Sequence, residues 1–228
     1  MTTRKFGRVF LKTINNSFCF TFIAVILFDP VVMAKTLYIT DQFNKPIENV
    51  VVSFATTKPT QADNVKLLVM DQIDKQFSPR LLVVQKNQRV SFPNSDNIRH
   101  HLYSFSKPKP FEFRMFKGGD TKELVFDQAG IVVLGCNIHD QMVGYIYVAD
   151  NEQTVVSNKH GLAEVPENGL MLKLWHPNLS TNKILRKNFQ LPETSLEAPF
   201  PIVLNLLEDT VIPTQRTFKS KKFDRGNN

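Results

Sequence analysis

The chain lacks the residues and patterns that define several large classes of protein. Among its 228 residues it has only two cysteines. Its apolar run at residues 18–28 is too short for a comfortable membrane span. No segment carries a helical period, and no motif interleaves basic and aromatic residues as nucleic-acid-binding surfaces do. These absences argue against a disulfide scaffold, a helical bundle and a nucleic-acid-binding protein, and they favour an all-β fold.

A leader sequence precedes the rest of the chain. Its apolar core, residues 18–28, follows four basic residues, Arg4, Lys5, Arg8 and Lys12. Small to medium-sized side chains at 32–34 then predict a signal peptide of residues 1–34 that is cleaved after Ala34. We therefore expect an exported protein, periplasmic or otherwise extracytoplasmic, with no stable membrane span after cleavage. An uncleaved N-terminal anchor is the alternative.

Cleavage of this leader leaves Cys136 as the only cysteine of the mature chain. A lone cysteine in an oxidising compartment has no disulfide partner and is exposed to oxidation. A buried and inert thiol is one explanation, since free cysteine often packs as a small apolar residue. Metal ligation is the other explanation, and the neighbouring His139 and Met142 favour it.

Strand and turn signals divide the mature chain into four segments. Residues 35–60 contain two apolar runs around an Asn/Pro turn, which predicts a β-hairpin. Residues 61–150 are almost all strand and turn and form the main predicted sandwich. Residues 151–207 predict a small β module that is able to complete a sheet with the hairpin. Residues 208–228 are polar and basic, and we expect them to be disordered.

The net charge of +7 gives little information about partners. Part of the positive charge lies in the leader, and another part lies in the tail at Lys219, Lys221, Lys222 and Arg225. The basic balance is therefore weak evidence for an acidic partner and weaker evidence for nucleic acid. We expect no nucleic-acid partner.

The spacing Cys-x2-His-x2-Met at Cys136, His139 and Met142 gathers three ligands of graded softness in one loop. A second histidine would complete a His2Cys set with a weak axial methionine, which is the arrangement of blue-copper electron-transfer sites. The chain offers His100 and His101 for this position. Adjacent side chains on a strand point to opposite faces, so only one of the two can ligate. We predict His100 from its position.

Residues 77–148 resemble the cupredoxins, and the plastocyanin and amicyanin group in particular. The resemblance begins with Phe77-x-Pro79, Leu82-x-Val84, a turn at Asn87, Val90-x-Phe92 and Asn94. It continues with a histidine after a short loop and with the compact Cys-x2-His-x2-Met spacing of amicyanin. The chain is also similar to bacterial exported proteins that carry the label of methylamine-utilisation proteins. The flanking segments are similar in pattern to carboxypeptidase-regulatory-like or transthyretin-like β-sandwiches.

This resemblance implies a Greek-key β-sandwich that binds one type 1 copper ion. It assigns the metal to His100, Cys136, His139 and Met142, and it makes His139 the surface port for electrons. The apolar docking patch of the family would correspond here to Ile138 and Val143.

Two residues depart from the family pattern. His101 stands where the family usually has an asparagine that ties the two ligand loops together, so that tie is in doubt. Ile138 replaces a proline and brings a backbone N–H, which we expect to donate to the thiolate of Cys136.

The sequence therefore predicts an electron carrier that serves unidentified redox protein partners and is not an enzyme. A copper delivery or sensing protein and a metal-free β-sandwich interaction module are the alternatives. The five histidines include no His-x-His pair, which excludes the trinuclear cluster of a multicopper oxidase. A cysteine hydrolase is unsupported, because no third residue of the loop would orient His139.

Overall fold

The computed structural model describes residues 34–56, 67–166, 170–193 and 198–208. Within these ranges the chain forms seventeen β-strands and a single 3-10 turn, without an α-helix. Accordingly, these residues contain no helix with the length and apolar character needed to cross a bilayer. Residues 1–33 of the predicted signal peptide and residues 209–228 of the predicted disordered tail lie outside the described residues.

The strands fall into three groups along the chain. The first group is β1 (Ala34–Asp41) and β2 (Val51–Ala55). The second is β3 (Leu68–Val69), β4 (Asp71–Ile73), β5 (Gln76–Ser78), β6 (Leu81–Gln85), β7 (Gln88–Pro93), β8 (His100–Ser104), β9 (Phe111–Phe116), β10 (Thr121–Phe126), β11 (Gly130–Gly135) and β12 (Val143–Ala149). The third is β13 (Glu152–Val156), β14 (Leu162–Pro166), β15 (Met171–Trp175), β16 (Arg186–Gln190) and β17 (Phe200–Leu204), with the 3-10 turn at Pro177–Leu179.

The second group of strands forms a β-sandwich, which confirms the predicted fold class. A five-stranded sheet in the order β6-β12-β11-β8-β9 shares one apolar core with a three-stranded sheet in the order β10-β7-β3. This central core consists of Met70, Phe77, Val84, Val90, Phe92, Leu102, Phe116, Phe126, Val132, Leu134, Cys136, Met142, Ile146 and Val148. Cys136 and Met142 are therefore part of a closely packed interior, which holds their backbone in place.

The predicted hairpin of β1 and β2 is wrong. β1 lies between β14 and β17, whereas β2 lies between β13 and β15, so the two strands belong to different sheets. Each strand has buried apolar residues and pairs on both of its edges with distant strands. A two-stranded hairpin would pair only one edge of each strand and leave the backbone groups of the other edge without partners. The pairing predicted between the N-terminal strands and residues 151–207 is present, because β1 pairs with β14 and β2 pairs with β13, both antiparallel.

The central five-stranded sheet has apolar contacts on both of its faces. On β12, Ile146 and Val148 enter the central core, while Tyr145 and Tyr147 enter another core that includes Trp175 of β15. Period-two alternation therefore places every side chain of this strand against another layer. The uninterrupted apolar run at residues 143–149 follows from this double burial.

Candidate metal centre

A short loop connects the paired ends of β11 and β12. Gly135 lies opposite Val143 in the antiparallel register, so the two ends of the loop at residues 136–142 are only a few ångströms apart. The backbone N–H of Met142 donates to the carbonyl of His139 at 2.9 Å, and the N–H of Val143 donates to that of Gln141 at 3.0 Å. These bonds close the loop locally, which explains why a compact ligand spacing is compatible with the strand geometry.

Strand β8 brings a distant histidine to this loop. Its Tyr103 pairs with Gly135 of β11, so the first residue of β8, His100, lies close to Cys136. His100 Nδ1 lies 3.8 Å from Cys136 Sγ, although 36 residues separate them in sequence. His139 Nδ1 lies 3.7 Å from the same sulfur atom. The candidate ligand atoms of the three residues all lie within 4.8 Å of one another, close enough to hold one metal ion.

The two adjacent histidines of β8 have different partners. His101 Nε2 lies 3.0 Å from Glu112 Oε1, and its ring packs near Tyr103 with centroids 5.5 Å apart. His100 and His139 pack against each other, with ring centroids 5.1 Å apart. The structure therefore places His100 in the cluster and directs His101 towards β9, as the alternation of side chains on a strand requires.

Met142 is buried, with 1% of its surface exposed, and it belongs to the same central core as Cys136. The thioether is therefore enclosed with the thiol in the interior of the sandwich, at the C-terminal end of the loop. Its assignment as a fourth, weak ligand stays a prediction.

The residues expected to form a docking patch differ in exposure. Ile138 is 50% exposed, whereas Val143 is half-buried and packs against the core that contains Tyr145 and Trp175. The expected hydrogen bond from the Ile138 N–H to the thiolate of Cys136 stays a prediction. The polar atoms that lie near Sγ among the described contacts are the two imidazole nitrogens.

Asp96 is a site residue that sequence reasoning missed. Its Oδ2 lies 2.6 Å from His100 Nε2, on the side of the ring opposite the thiol. Nothing in the sequence beyond the i,i+4 spacing signals this contact, because the loop at residues 95–99 has no regular structure to orient the side chain.

The electrostatic surroundings shift the pKa of one histidine of the cluster and of the nearby Asp96. Burial, together with the charges of His100 and Lys75, lowers the pKa of His139 below its usual value, against the opposing charge of Asp96. Burial raises the pKa of Asp96, but hydrogen bonds from Lys75, His100 and Asp74 outweigh it and hold the pKa below the usual range. Near neutral pH, His139 is therefore neutral and Asp96 is ionised.

The donor set fits copper better than zinc. Structural zinc sites use four strong ligands in a tetrahedron, whereas this cluster joins one thiol and two imidazoles to a core that holds a thioether. Soft sulfur ligands combined with imidazole favour copper in a site of fixed geometry.

No family model and no curated protein matches the chain. Solved structures that it resembles include the Cu-containing nitrite reductase from Thermus scotoductus SA-01, with 22% identity and a TM-score of 0.36 over 41% of this chain. A purple cupredoxin from Nitrosopumilus maritimus has 22% identity and a TM-score of 0.33 over 36% of this chain. A reduced variant of amicyanin has 20% identity and a TM-score of 0.35 over 43% of this chain.

The matched region spans 25% of the nitrite reductase chain, but 99% of the purple cupredoxin and 98% of the amicyanin variant. At these TM-scores the assignment of the metal centre rests on its own side-chain geometry. The solved structures that this chain resembles are cupredoxins, which match less than half of its length.

Proposed function

We propose that the protein is an exported electron carrier that binds one type 1 copper ion through His100, Cys136, His139 and Met142. The observation that carries this proposal is the convergence of one buried thiol and two imidazole nitrogens within 4.8 Å. Copper bound there would supply one-electron chemistry by alternating between Cu(I) and Cu(II).

The buried residues of the centre would keep the ligand positions fixed. Cys136 is 4% exposed and His100 is fully buried, and both lie at the ends of paired strands in the central sheet. Close packing around them resists side-chain rearrangement, so the same positions would serve both valence states. The thiol would bind as the thiolate, with release of its proton on metal binding.

His139 would connect the interior to the surface. It lies on the loop, is partly exposed, and contacts both Cys136 and His100. The half-exposed Ile138 precedes it and lines a shallow groove together with Met115 and Asn137. Glu112 and Arg114 also line this groove, and its mixed apolar and charged margin beside the partly exposed His139 is the surface where we place the redox protein partner.

The same burial argues against an enzymatic role. His100 and Cys136 expose only 0% and 4% of their surface, so neither side chain is open to a substrate. Transfer of an electron through the partly exposed His139 needs no such access. We therefore propose an electron carrier without a catalytic residue of its own.

Repeated redox cycling tests this function. The purified protein is given one equivalent of Cu(II), reduced with ascorbate and reoxidised with ferricyanide, and bound copper is measured at each stage beside Cys136→Ser. An electron carrier retains one copper per chain through several cycles, and the variant does not. Copper that stays as Cu(I) and does not reoxidise would indicate delivery or sensing instead. Failure to retain copper would leave the metal-free interaction module.

A further inference from the structure

The carboxylate of Asp96 is directed at the buried ring of His100. Asp96 Oδ2 lies 2.6 Å from His100 Nε2, and the two side chains expose 13% and 0% of their surface respectively. The other ring nitrogen of His100, Nδ1, faces Cys136 Sγ at 3.8 Å. The imidazole therefore lies between a carboxylate and a thiol, with one nitrogen directed at each.

Backbone groups hold this carboxylate in place. The turn between β4 and β5 donates two N–H groups to it, from Asp74 to Oδ1 at 2.7 Å and from Lys75 to Oδ2 at 3.0 Å. The backbone N–H of Asp96 itself donates to Asn94 Oδ1 at 3.1 Å. Rotation of the carboxylate away from His100 would break both bonds from the turn, so the side chain has one strongly preferred orientation.

The loop that carries Asp96 is fixed from the other side as well. Asn94 Nδ2 donates to the carbonyls of Ile98 and Phe116 at 2.9 and 3.1 Å. Gly118 approaches the carbonyl oxygen of Asp96 so closely that an added Cβ would lie 2.1 Å from it. These contacts therefore fix the backbone that carries the carboxylate, while the N–H groups of the turn between β4 and β5 fix the carboxylate itself.

We propose that Asp96 is a positioning residue that keeps the proton of His100 on Nε2 and the Nδ1 lone pair directed at the Cys136 site. An ionised carboxylate only accepts hydrogen bonds, so the ring nitrogen that faces it has to donate. The tautomer with its proton on Nε2 leaves Nδ1 unprotonated, which is the form that can bind a metal.

A second effect concerns the metal and rests on the proposed copper function. Carboxylates that accept from a metal-bound histidine fix the orientation of the ring and raise its basicity as a ligand. A fixed negative charge near the centre also favours the more positive valence state. Asp96 therefore stabilises Cu(II) relative to Cu(I), and this lowers the reduction potential.

The experiment compares three variants of the full chain with the unmodified protein. Asp96→Asn removes the charge and keeps the size, and Asp96→Glu keeps the charge. Asp71→Asn is the matched control, because Asp71 is a nearby carboxylate that accepts from the Ser95 hydroxyl at 2.6 Å and from backbone N–H groups. Asp71 makes no contact with His100 among its hydrogen bonds in the described part of the chain.

The first readout is the tautomer of His100 in the metal-free protein, from nitrogen-15 NMR of the imidazole. We expect a proton on Nε2 in the unmodified protein and in Asp71→Asn, and a mixture of tautomers in Asp96→Asn. A proton on Nδ1 in the unmodified protein would overturn the proposal even if Asp96→Asn failed to fold. An unchanged tautomer in folded Asp96→Asn would overturn it as well.

The second readout is the ratio of the Cu(II) to the Cu(I) affinity. We expect Asp96→Asn to lower this ratio about tenfold, equivalent to about 59 mV in a one-electron potential. Asp96→Glu should restore part of the change, and Asp71→Asn should leave the ratio within about twofold of the unmodified protein, because its charge does not contact the ring. Equal shifts in Asp96→Asn and Asp71→Asn would overturn this effect. A protein that binds no copper would refute the proposed function, while the tautomer measurement would still decide the role of Asp96.

Discussion

Trp175 on β15 and Tyr145 on β12 meet edge to face, with ring centroids 5.7 Å apart and planes inclined at 65°. The ring of Trp175 also lies 6.0 Å from that of Tyr147, which is on β12 with Tyr145, and Trp175 is fully buried. Because β12 begins directly after Met142, these rings cover one face of the strand that follows the loop with Cys136, His139 and Met142. Trp175 of β15 therefore supports the sheet that carries the candidate metal centre.

Replacement of Trp175 should weaken the whole structure. We expect Trp175→Ala to lower the free energy of unfolding by about 3–5 kcal/mol, because it removes a large buried ring and leaves a cavity. Circular dichroism in urea is the suitable measurement, since the chain has no other tryptophan. Met171→Ala, on the same strand but 51% exposed, is the control and should change stability by less than about 0.5 kcal/mol. Equal losses in both variants would contradict the role assigned to Trp175.

The buried contact between Tyr147 and Glu152 should make the stability of the protein depend on pH in alkaline solution. The Tyr147 hydroxyl lies 2.9 Å from Glu152 Oε1 and 3.0 Å from Ser53 Oγ in a buried cluster. Burial first, and then the Glu152 carboxylate, raise the pKa of Tyr147 above its usual value, against opposing contributions from Ser53 and Arg186. The folded protein therefore keeps a proton that the unfolded chain releases above about pH 10.

The sign of the pH effect follows from this difference in proton binding. The contribution of Tyr147 is fully present below about pH 10 and is lost as the pH rises further, with a slope of up to about 1.4 kcal/mol per pH unit. Urea unfolding at several alkaline pH values measures this slope. Tyr147→Phe should be less stable at neutral pH but should lose stability less steeply in alkali. The same slope in both proteins would show that another group causes the loss.

Substitution of the two adjacent histidines separates ligation from packing. His100→Ala should abolish stoichiometric binding of copper, because it removes a donor nitrogen that faces Cys136. His101→Ala should change the copper affinity by less than about tenfold, since its Nε2 faces Glu112 outside the cluster. Isothermal titration with Cu(I) and with Cu(II) measures both. If His101→Ala lost copper and His100→Ala kept it, the ligand would be His101 and the assignment of His100 would be wrong.

Met142→Leu tests whether the buried methionine is a ligand as well as a core residue. The substitution conserves volume, so stability should change by less than about 1.5 kcal/mol. Loss of a thioether donor should destabilise Cu(II) more than Cu(I), which raises the potential and changes the optical spectrum. Voltammetry of the two copper-loaded proteins gives the comparison. An unchanged potential and spectrum would leave Met142 as core alone.

The parts of the site that the sequence predicted depend on local spacing. The short loop brings Cys136 and His139 together whatever the rest of the chain does. Alternation along β8 allows only one of His100 and His101 to join them, and position in the chain favoured His100. The strands of the central sandwich could also be predicted, because each one is recognised from the apolar pattern of its own few residues.

The parts that the sequence did not predict depend on distant partners. Asp96 is directed at His100 by the turn between β4 and β5, whose N–H groups come from more than twenty residues away. The pairing of β1 and β2 was predicted from a turn signal, yet each strand finds its neighbours among residues 152–204. β16 was not predicted because its side chains are mostly polar and exposed, and it carries little apolar pattern.

The visible and EPR spectra of the protein with one equivalent of Cu(II), recorded beside Cys136→Ser, test the central claim most directly. The claim is that the buried thiolate of Cys136 binds copper together with His100 and His139. It predicts an intense band in the blue-to-green region and narrow copper hyperfine splitting, both lost in the variant. A weak spectrum with wide splitting that is identical in the two proteins would contradict it, because copper would then bind without the thiolate.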